Sequence, residues 1–133
     1  PKISVLSIGT NDLTQFLFAA DRSNPKLAER YDWISPSILR FLRRVLGTMA
    51  GHPADITVCG EMGGRQVEAL ALLGVGIRRL SITPAAVGPI KELVRKVDLA
   101  EITDAMNRWL ASPPRRLREA LIAWAAARDI QFD

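Results

Sequence analysis

The chain has 133 residues, 48% hydrophobic and 24% charged, with a formal net charge of +4. This balance is typical of one folded domain in water and argues against disorder. Its apolar stretches are interrupted well before the ~20 residues of a membrane span, and its first residues lack a signal-peptide pattern. We therefore expect a cytoplasmic protein with no membrane association. The single Cys59 cannot form an internal disulfide, in agreement with a reducing compartment.

The basic character of the chain raises the question of nucleic-acid binding. A pI near 9.8 could favour such binding, because Lys and Arg neutralise phosphates. The basic residues are scattered, however, with no recognition motif and no interleaved aromatic residues. We therefore expect no nucleic-acid partner and interpret these residues as solvated helix faces or anion-facing groups.

The first unit of the chain is a strand followed by helices. The apolar, β-branched run at residues 3–8 predicts a strand covered on both faces, as in a parallel sheet. A polar loop at 10–12 then leads into a helical stretch through about Ala20. Ser35 can cap the next helix, and Pro36 suits its first turn.

Two more units repeat this order. The second has a strand at 56–59 and a helix at 66–73, which we expect to stop at Gly74. The third has a strand at 79–82, and Pro89 is expected to start its helix.

Two terminal helices have their own start signals. Asp98 with Glu101 three residues later resembles a capping box, and Ser112-Pro113 is expected to open the last helix. Trp33 is interpreted as a packing or interface residue. The apolar faces expected at helical spacing are Ile38, Leu42, Val45, Leu46 and Met49; Ile90, Leu93, Val94 and Val97; Ile102, Met106 and Trp109; and Leu117, Leu121 and Trp124.

Repeated strand-loop-helix units define the fold class as α/β with a parallel sheet, because such connections require right-handed crossovers. Three strands cannot close a barrel. Since the sequence also begins almost on its first strand, we predict the last three units of a (β/α)₈ TIM-type barrel. Residues 1–133 would then be the C-terminal part of a barrel domain, with 98–133 as terminal helices. An independent three-stranded α/β domain is the alternative.

Unusual polar residues follow each predicted strand, at 9–12, 59–61 and 83–84. In parallel α/β folds, the carboxyl ends of the strands face a common crevice. Glycines there let the backbone approach a ligand, and amides at helix starts favour an anion such as phosphate. The pattern predicts an anion site at this edge.

Residue types alone leave two roles open. Asp12 is more readily interpreted as a helix N-cap, although Asn11-Asp12 could instead face a phosphate and Mg²⁺. Cys59 on an apolar strand would most often be a small buried hydrophobe, although its neighbours Gly60 and Glu61 make a purely packed interior less natural. His52 is interpreted as a loop residue.

Four segments carry a family resemblance. They are SIGTNDLTQFLFAADRSN at 7–24, YDWISPSILR at 31–40, VCGEMGG at 58–64 and LSITPAAVGPIKELVRK at 80–96. Over residues 3–97 the chain resembles Enzyme I, the phosphoenolpyruvate-protein phosphotransferase family. The related pyruvate phosphate dikinase and phosphoenolpyruvate synthase share the Thr-Asn-Asp-Leu-Thr-Gln and Cys-Gly cores but match less well through residues 19–22.

Details of the wording refine the resemblance. Cys-Gly-Glu-Met and the residues at 78–81 resemble the nitrogen-regulatory branch more than the sugar-transport branch. One departure is Gly63-Gly64-Arg65, where the family usually has Ala-Gly-Asp. The exchange of an acid for a base bears on the charge of the site's rim.

The resemblance implies a mechanism. Asn11, Asp12 and Arg22 would bind the phosphate of phosphoenolpyruvate, Asp12 would also hold Mg²⁺, and Cys59 would be the catalytic proton donor that converts enolpyruvate to pyruvate. The phosphoryl group would pass to a histidine on another domain and then to an HPr-type carrier protein. The resemblance also implies a homodimer formed through this domain.

A role without catalysis is the rival hypothesis. The apolar helix faces bearing Trp109 and Trp124 could be exposed and bind a second copy, which would make the chain a dimerisation or regulatory module.

Overall fold

The computed structural model describes residues 2–21, 23–28 and 32–132. In this part of the chain, strands and helices alternate and confirm the α/β class, and no helix is long and apolar enough to cross a membrane. The elements are β1 (Val5–Gly9), α1 (Thr10–Leu17), α2 (Pro25–Ala28), α3 (Pro36–Thr48), β2 (Asp55–Cys59), a 3₁₀ turn (Glu61–Gly64), α4 (Gln66–Val75), β3 (Leu80–Ser81), α5 (Pro84–Lys96), α6 (Leu99–Ala111) and α7 (Leu117–Ala126).

The three strands form one parallel sheet in the order β1-β2-β3, as predicted. The expectation that the first strand is covered on both faces is wrong for this chain. Val5 is 54% exposed and Ser7, on the same face of β1, is also exposed, whereas Leu6 and Ile8 on the opposite face are partly buried. The third strand is shorter than the predicted 79–82 and pairs with β2 through two residues.

Helix α1 ends three residues earlier than predicted. Ala19 has a φ of +49°, which takes the backbone into the left-handed region. The Ala19 N–H donates to Phe16 O and the Ala20 N–H donates to Gln15 O, at 3.3 and 3.0 Å. These two bonds form a Schellman ending, which terminates a helix even though alanine replaces the usual glycine.

Two predicted helix starts are confirmed. The Ser35 hydroxyl accepts the Ile38 N–H of α3 at 3.3 Å, with Pro36 in the first turn. The Asp98 carboxylate accepts the Ala100 and Glu101 N–H groups of α6 at 2.8 and 3.0 Å. Both side chains satisfy amides that a helix leaves unpaired.

Helix α4 continues through Gly74, where we expected it to stop. It ends at Val75, and Gly76 follows with a φ of +112°. A Cβ on Gly74 would lie 3.2 Å from Ile102 Cγ1 and from Met106 Cβ. Gly74 therefore permits close packing between α4 and α6, and Gly76 is the terminating glycine.

Two other predicted starts are wrong. Helix α5 begins at Pro84, with Thr83 before it, so Pro89 lies inside the helix. Helix α7 begins at Leu117 and not at Pro113. The second error has a clear physical reason, because Pro113 precedes Pro114 and a residue before proline is pushed away from the helical region.

One apolar core joins the sheet to the helices. Val94 was expected on a buried helix face but is 44% exposed. Trp124, which the rival hypothesis places on an exposed face, is only 8% exposed. Trp109 is half-buried against the same core, so these tryptophans do not form the exposed docking face of the rival hypothesis. The largest fully buried side chains are Ile34, Ile38, Leu39, Leu42, Val58, Met62, Leu70, Leu72, Ile77, Ile102, Met106 and Leu121.

Polar contacts also attach the terminal helices to the rest of the fold. Arg40 of α3 donates through Nε and Nη2 to the Leu110 carbonyl oxygen of α6, at 3.0 and 2.6 Å. Arg43 donates to the Asn107 side chain at 2.6 Å. The carbonyls near the end of α6 lack partners within their own helix, so Arg40 acts as a C-terminal cap.

Candidate functional site

The parallel register aligns the strand ends that carry the candidate residues. Gly9 pairs with Cys59, and Cys59 pairs with Ser81, so the last residues of all three strands lie side by side. The loops that follow therefore leave the sheet at one edge, which is where ligands bind in parallel α/β folds. The predicted convergence of these loops is confirmed.

Two hydrogen bonds join the loops after β1 and β2. The Thr10 hydroxyl donates to the Cys59 carbonyl oxygen at 3.0 Å, and the Glu61 N–H donates to Asn11 Oδ1 at 3.1 Å. Gly60 lies between them with a φ of +105°. A Cβ there would lie 2.7 Å from Thr10 Oγ1 and 2.9 Å from Asn11 Oδ1, so this close approach requires glycine.

A cleft of about 520 Å³ opens at this edge. It contains two of the predicted site residues, Asn11 and Cys59. The lining residues are Asn11, Cys59, Gly60, Glu61, Gly64, Arg65, Ser81, Ile82, Thr83 and Ala86. Since Asn11 uses Oδ1 to accept the Glu61 N–H, its amide nitrogen is the end that can donate to an anion in the cleft.

Cys59 is partly buried and lines the cleft, so it is not the fully buried hydrophobe that its apolar strand favours. The Ser7 hydroxyl donates to its Sγ at 3.5 Å. Sequence reasoning missed Ser7, although the two-residue period of a strand places Ser7 on the same face as Gly9, the register partner of Cys59.

Asp12 is not a helix N-cap. Gly9 occupies that position in α1, and Asp12 is an exposed residue of the first turn. A carboxylate there interacts favourably with the helix dipole and stays accessible to a cation. Within the described ranges, no three metal-ligating His, Cys, Asp or Glu side chains form a group. The Asp12 carboxylate would therefore hold Mg²⁺ only where other oxygens, such as those of the substrate phosphate, supply further ligands.

Arg22, the fourth predicted site residue, lies outside the described residues. His52 lies in a loop as predicted, and its Nδ1 accepts the Ala54 N–H at 3.1 Å.

A cationic side chain on the cleft wall was not among the predicted site residues. The guanidinium carbon of Arg65 lies 4.6 Å from the centre of the Trp33 ring, and Arg65 Nη2 lies 3.4 Å from Glu61 Oε2. Sequence reasoning noted Arg65 as a departure and Trp33 as a packing residue. No local signal links them, because they are brought together by the tertiary fold.

A network of ion pairs joins the segments that carry Trp33 and Arg65, and only its Glu68 member is buried. Arg118 of α7 donates two hydrogen bonds to the Asp32 carboxylate, at 2.8 and 2.6 Å, and one to the buried Glu68 at 2.6 Å. Burial by itself would raise the pKa of Asp32, but the hydrogen bonds from Arg118 and from the Ile34 N–H outweigh it and lower this pKa. The hydrogen bond to Asp32 is the main cause that raises the pKa of Arg118.

The parallel sheet defines an α/β domain, and its cleft lies at the carboxyl edge, where parallel α/β folds bind their ligands. Residues 1–99 match the family model described as PEP-utilising enzyme, PEP-binding domain. The chain therefore belongs to the family of phosphoenolpyruvate-utilising enzymes, in agreement with the resemblance of its motifs.

Curated relatives share this relationship over most of the chain. A phosphoenolpyruvate-protein phosphotransferase of Borreliella burgdorferi is 40% identical over 115 residues, covering 86% of this chain and 20% of the relative. A protein of Escherichia coli named phosphoenolpyruvate-dependent phosphotransferase system is 38% identical over 109 residues, covering 82% and 15%. Its namesake in Salmonella typhimurium is 37% identical over 130 residues, covering 97% and 17%. The chain thus spans a fifth or less of these relatives.

Proposed function

We propose that this chain supplies part of the substrate site of a phosphoenolpyruvate-dependent phosphotransferase. The whole protein would transfer the phosphoryl group to a histidine of another domain and then to an HPr-type carrier, with release of pyruvate. The observation that carries the proposal is the placement of Asn11 and Cys59 on one cleft at the carboxyl edge of the sheet, in a chain of the phosphoenolpyruvate-utilising family.

Asn11 would bind the substrate phosphate. Its Oδ1 is occupied by the Glu61 N–H, so its amide nitrogen would donate to phosphate oxygens. Arg22 is assigned to the same phosphate by motif resemblance. A guanidinium and an amide would neutralise and orient the phosphoryl group, which is the main contribution a protein makes to this chemistry.

Asp12 would hold Mg²⁺ together with the substrate phosphate. The exposed carboxylate in the first turn of α1 has the oxygen chemistry and access that the ion requires. When bound, the ion would neutralise charge on the phosphoryl oxygens.

Cys59 would act on the other end of the substrate. Cleavage of the P–O bond leaves enolpyruvate, and the Cys59 thiol would give its proton to C3 to form pyruvate. The sulfur is left as a thiolate, and the Ser7 hydroxyl, 3.5 Å from Sγ, would stabilise the charge that develops there.

The larger assembly is also a proposal. We infer that β1–β3 and their helices are three units of a (β/α)₈ barrel whose other units carry further phosphate and metal ligands. The parallel sheet and the exposed Ile3 and Val5 at its β1 edge support this inference. The homodimer remains a proposal that follows from the family resemblance.

Pyruvate release tests the function. The full-length protein, mixed with phosphoenolpyruvate, Mg²⁺ and an HPr-type carrier, should release pyruvate in step with phosphorylation of the carrier. The 133-residue chain alone should release little or none, because it spans a fifth or less of the length of its curated relatives. Failure of the full-length protein to release pyruvate would contradict the proposed reaction, whereas full activity of the isolated chain would contradict the incomplete site.

A further inference from the structure

Arg65 has the placement of a ligand-contacting residue. It lies on the wall of the cleft, with its guanidinium stacked on Trp33 and in contact with Glu61. We propose that Arg65 contacts an anionic group of the substrate and that Trp33 positions it for this contact. The inference rests on the proposed function and adds a specificity-determining residue to that site.

The stacking leaves the donors of Arg65 available. A cation–π contact uses the face of the guanidinium, whereas its N–H groups lie in the plane and point outward from its edge. Among the described residues, the only hydrogen-bond acceptor found for Arg65 is Glu61 Oε2, at 3.4 Å. A fork with unused donors on a cleft wall matches the geometry of phosphate or carboxylate.

The contact with Glu61 is weak enough to be exchanged for substrate. The distance is long for an ion pair, and the Arg65 and Glu61 side chains are 59% and 58% exposed. Exposed pairs of this kind contribute about 0–1 kcal/mol. An anion held by Asn11 at the same time could therefore displace the Glu61 carboxylate from Arg65.

A single partly buried side chain, Arg118, ties down the segments on both sides of the stack. Arg118 binds Asp32, the residue before Trp33, and also binds Glu68, three residues after Arg65 at the start of α4. The Asp32 carboxylate further accepts the Ile34 N–H at 2.9 Å. The backbone on both sides of the stack is thus tied to one guanidinium, which pre-organises Arg65 before substrate arrives.

Calorimetric titration of the full-length protein with phosphoenolpyruvate tests the proposal. Arg65→Ala should weaken binding by about 10- to 100-fold, the scale of a lost hydrogen bond to a charged group. Arg65→Lys should recover part of the affinity, because it keeps the charge and loses the fork. Glu61→Gln should tighten binding in the wild-type background, because it removes the carboxylate that competes for Arg65. The same substitution should have no effect on binding in the Arg65→Ala background.

The role of Trp33 is tested by a double-mutant cycle. Trp33→Ala alone should weaken binding, but it should add little in the Arg65→Ala background, since Trp33 acts through Arg65. Titration with inorganic phosphate and with pyruvate then identifies which end of the substrate Arg65 contacts. If Arg65→Ala weakens the binding of phosphate, Arg65 contacts the phosphate group, and if it weakens the binding of pyruvate, Arg65 contacts the carboxylate. Arg95→Ala, which removes an exposed cation of α5, is the matched control and should leave binding unchanged.

The outcomes separate the two levels of inference. Phosphoenolpyruvate binding that is equal in wild type and Arg65→Ala would overturn the role of Arg65 and leave the proposed function intact. A wild-type protein that binds no phosphoenolpyruvate in the presence of Mg²⁺ would overturn both. Equal losses in Arg65→Ala and Arg95→Ala would show a general charge effect and would also overturn the specific contact.

Discussion

The Thr10 hydroxyl donates a hydrogen bond of 3.0 Å to the Cys59 carbonyl oxygen. This bond connects the first residue after β1 to the last residue of β2. Because Asn11 follows Thr10 directly, the bond fixes the distance between the amide that would bind phosphate and the thiol that would donate a proton. Asn11 and Cys59, which are assigned to opposite ends of one small substrate, are thus held close together at the ends of neighbouring strands.

Gly60→Ala should disrupt this connection. The new Cβ would clash with Thr10 Oγ1 at 2.7 Å and with Asn11 Oδ1 at 2.9 Å, at a φ that alanine rarely adopts. We expect a loss of about 1–3 kcal/mol in the free energy of unfolding, measured by urea denaturation, from the backbone conformation alone, because φ +105° with ψ −178° is a region that only glycine adopts readily. Gly47→Ala in α3 is the control, since nothing lies near its Cβ, and it should be neutral or stabilising. Equal effects of the two substitutions would show that the loop contact is not tight.

Asp12→Asn should raise the Mg²⁺ concentration needed for half-maximal turnover of the full-length enzyme by about tenfold or more, because a neutral amide is a poorer ligand for a hard cation. Stability without Mg²⁺ should fall by no more than about 0.3–1 kcal/mol, the interaction of one charge with the helix dipole. Asp104→Asn, at an exposed position of α6, is the control and should change neither property. An unaltered Mg²⁺ dependence in Asp12→Asn would remove Asp12 from the metal site.

Cys59→Ala should keep substrate binding and slow phosphoenolpyruvate turnover of the full-length enzyme by about 10²-fold or more, the scale of a lost general acid. The same variant should lose the exchange of pyruvate methyl protons with deuterated water, followed by NMR, because the thiolate removes that proton in the reverse direction. Turnover and exchange at wild-type rates in Cys59→Ala would show that the thiol transfers no proton.

The pKa of Asp32 predicts a pH dependence of stability. Because the folded-state pKa lies below the ordinary value of about 3.9, the Asp32–Arg118 pair stabilises the fold above that value. The contribution is lost as the pH falls through the folded-state pKa. Urea denaturation should therefore show Asp32→Asn to be less stable than wild type at pH 7, with a smaller difference at pH 3. A difference that is constant with pH would contradict the role of this carboxylate.

Start signals in the sequence predicted the beginnings of α3 and α6 correctly, whereas the stop signal predicted for α4 was wrong. Ser35-Pro36 and Asp98 act within one turn of their own helix, so a local pattern is enough to predict them. The end of α4 depends on which of two glycines, Gly74 or Gly76, has the left-handed conformation. The local sequence offers both glycines at suitable positions and does not distinguish them, and the close approach of Met106 to Gly74 is a tertiary contact that it does not contain.

The candidate site also has a part that could be predicted from the sequence and a part that could not. Asn11 and Cys59 could be placed on one crevice from the sequence, because parallel strands carry their carboxyl ends to one edge. The stack of Arg65 on Trp33 could not be predicted, since it depends on how the loop before α3 packs against the start of α4. Asp12 shows the limit of residue-type preferences, because an acid near a helix start can be a first-turn residue and need not be the cap.

The close contact at Gly74 shows that the boundary of the family match does not coincide with the boundary of the packed core. The family match ends at residue 99, yet Ile102 and Met106 lie against Gly74, and Arg40 of α3 caps the end of α6. A cut at the family boundary would remove one wall of the interior and leave α4 with an apolar face in water. We therefore expect the segment that unfolds cooperatively to extend beyond the family boundary and to include α6.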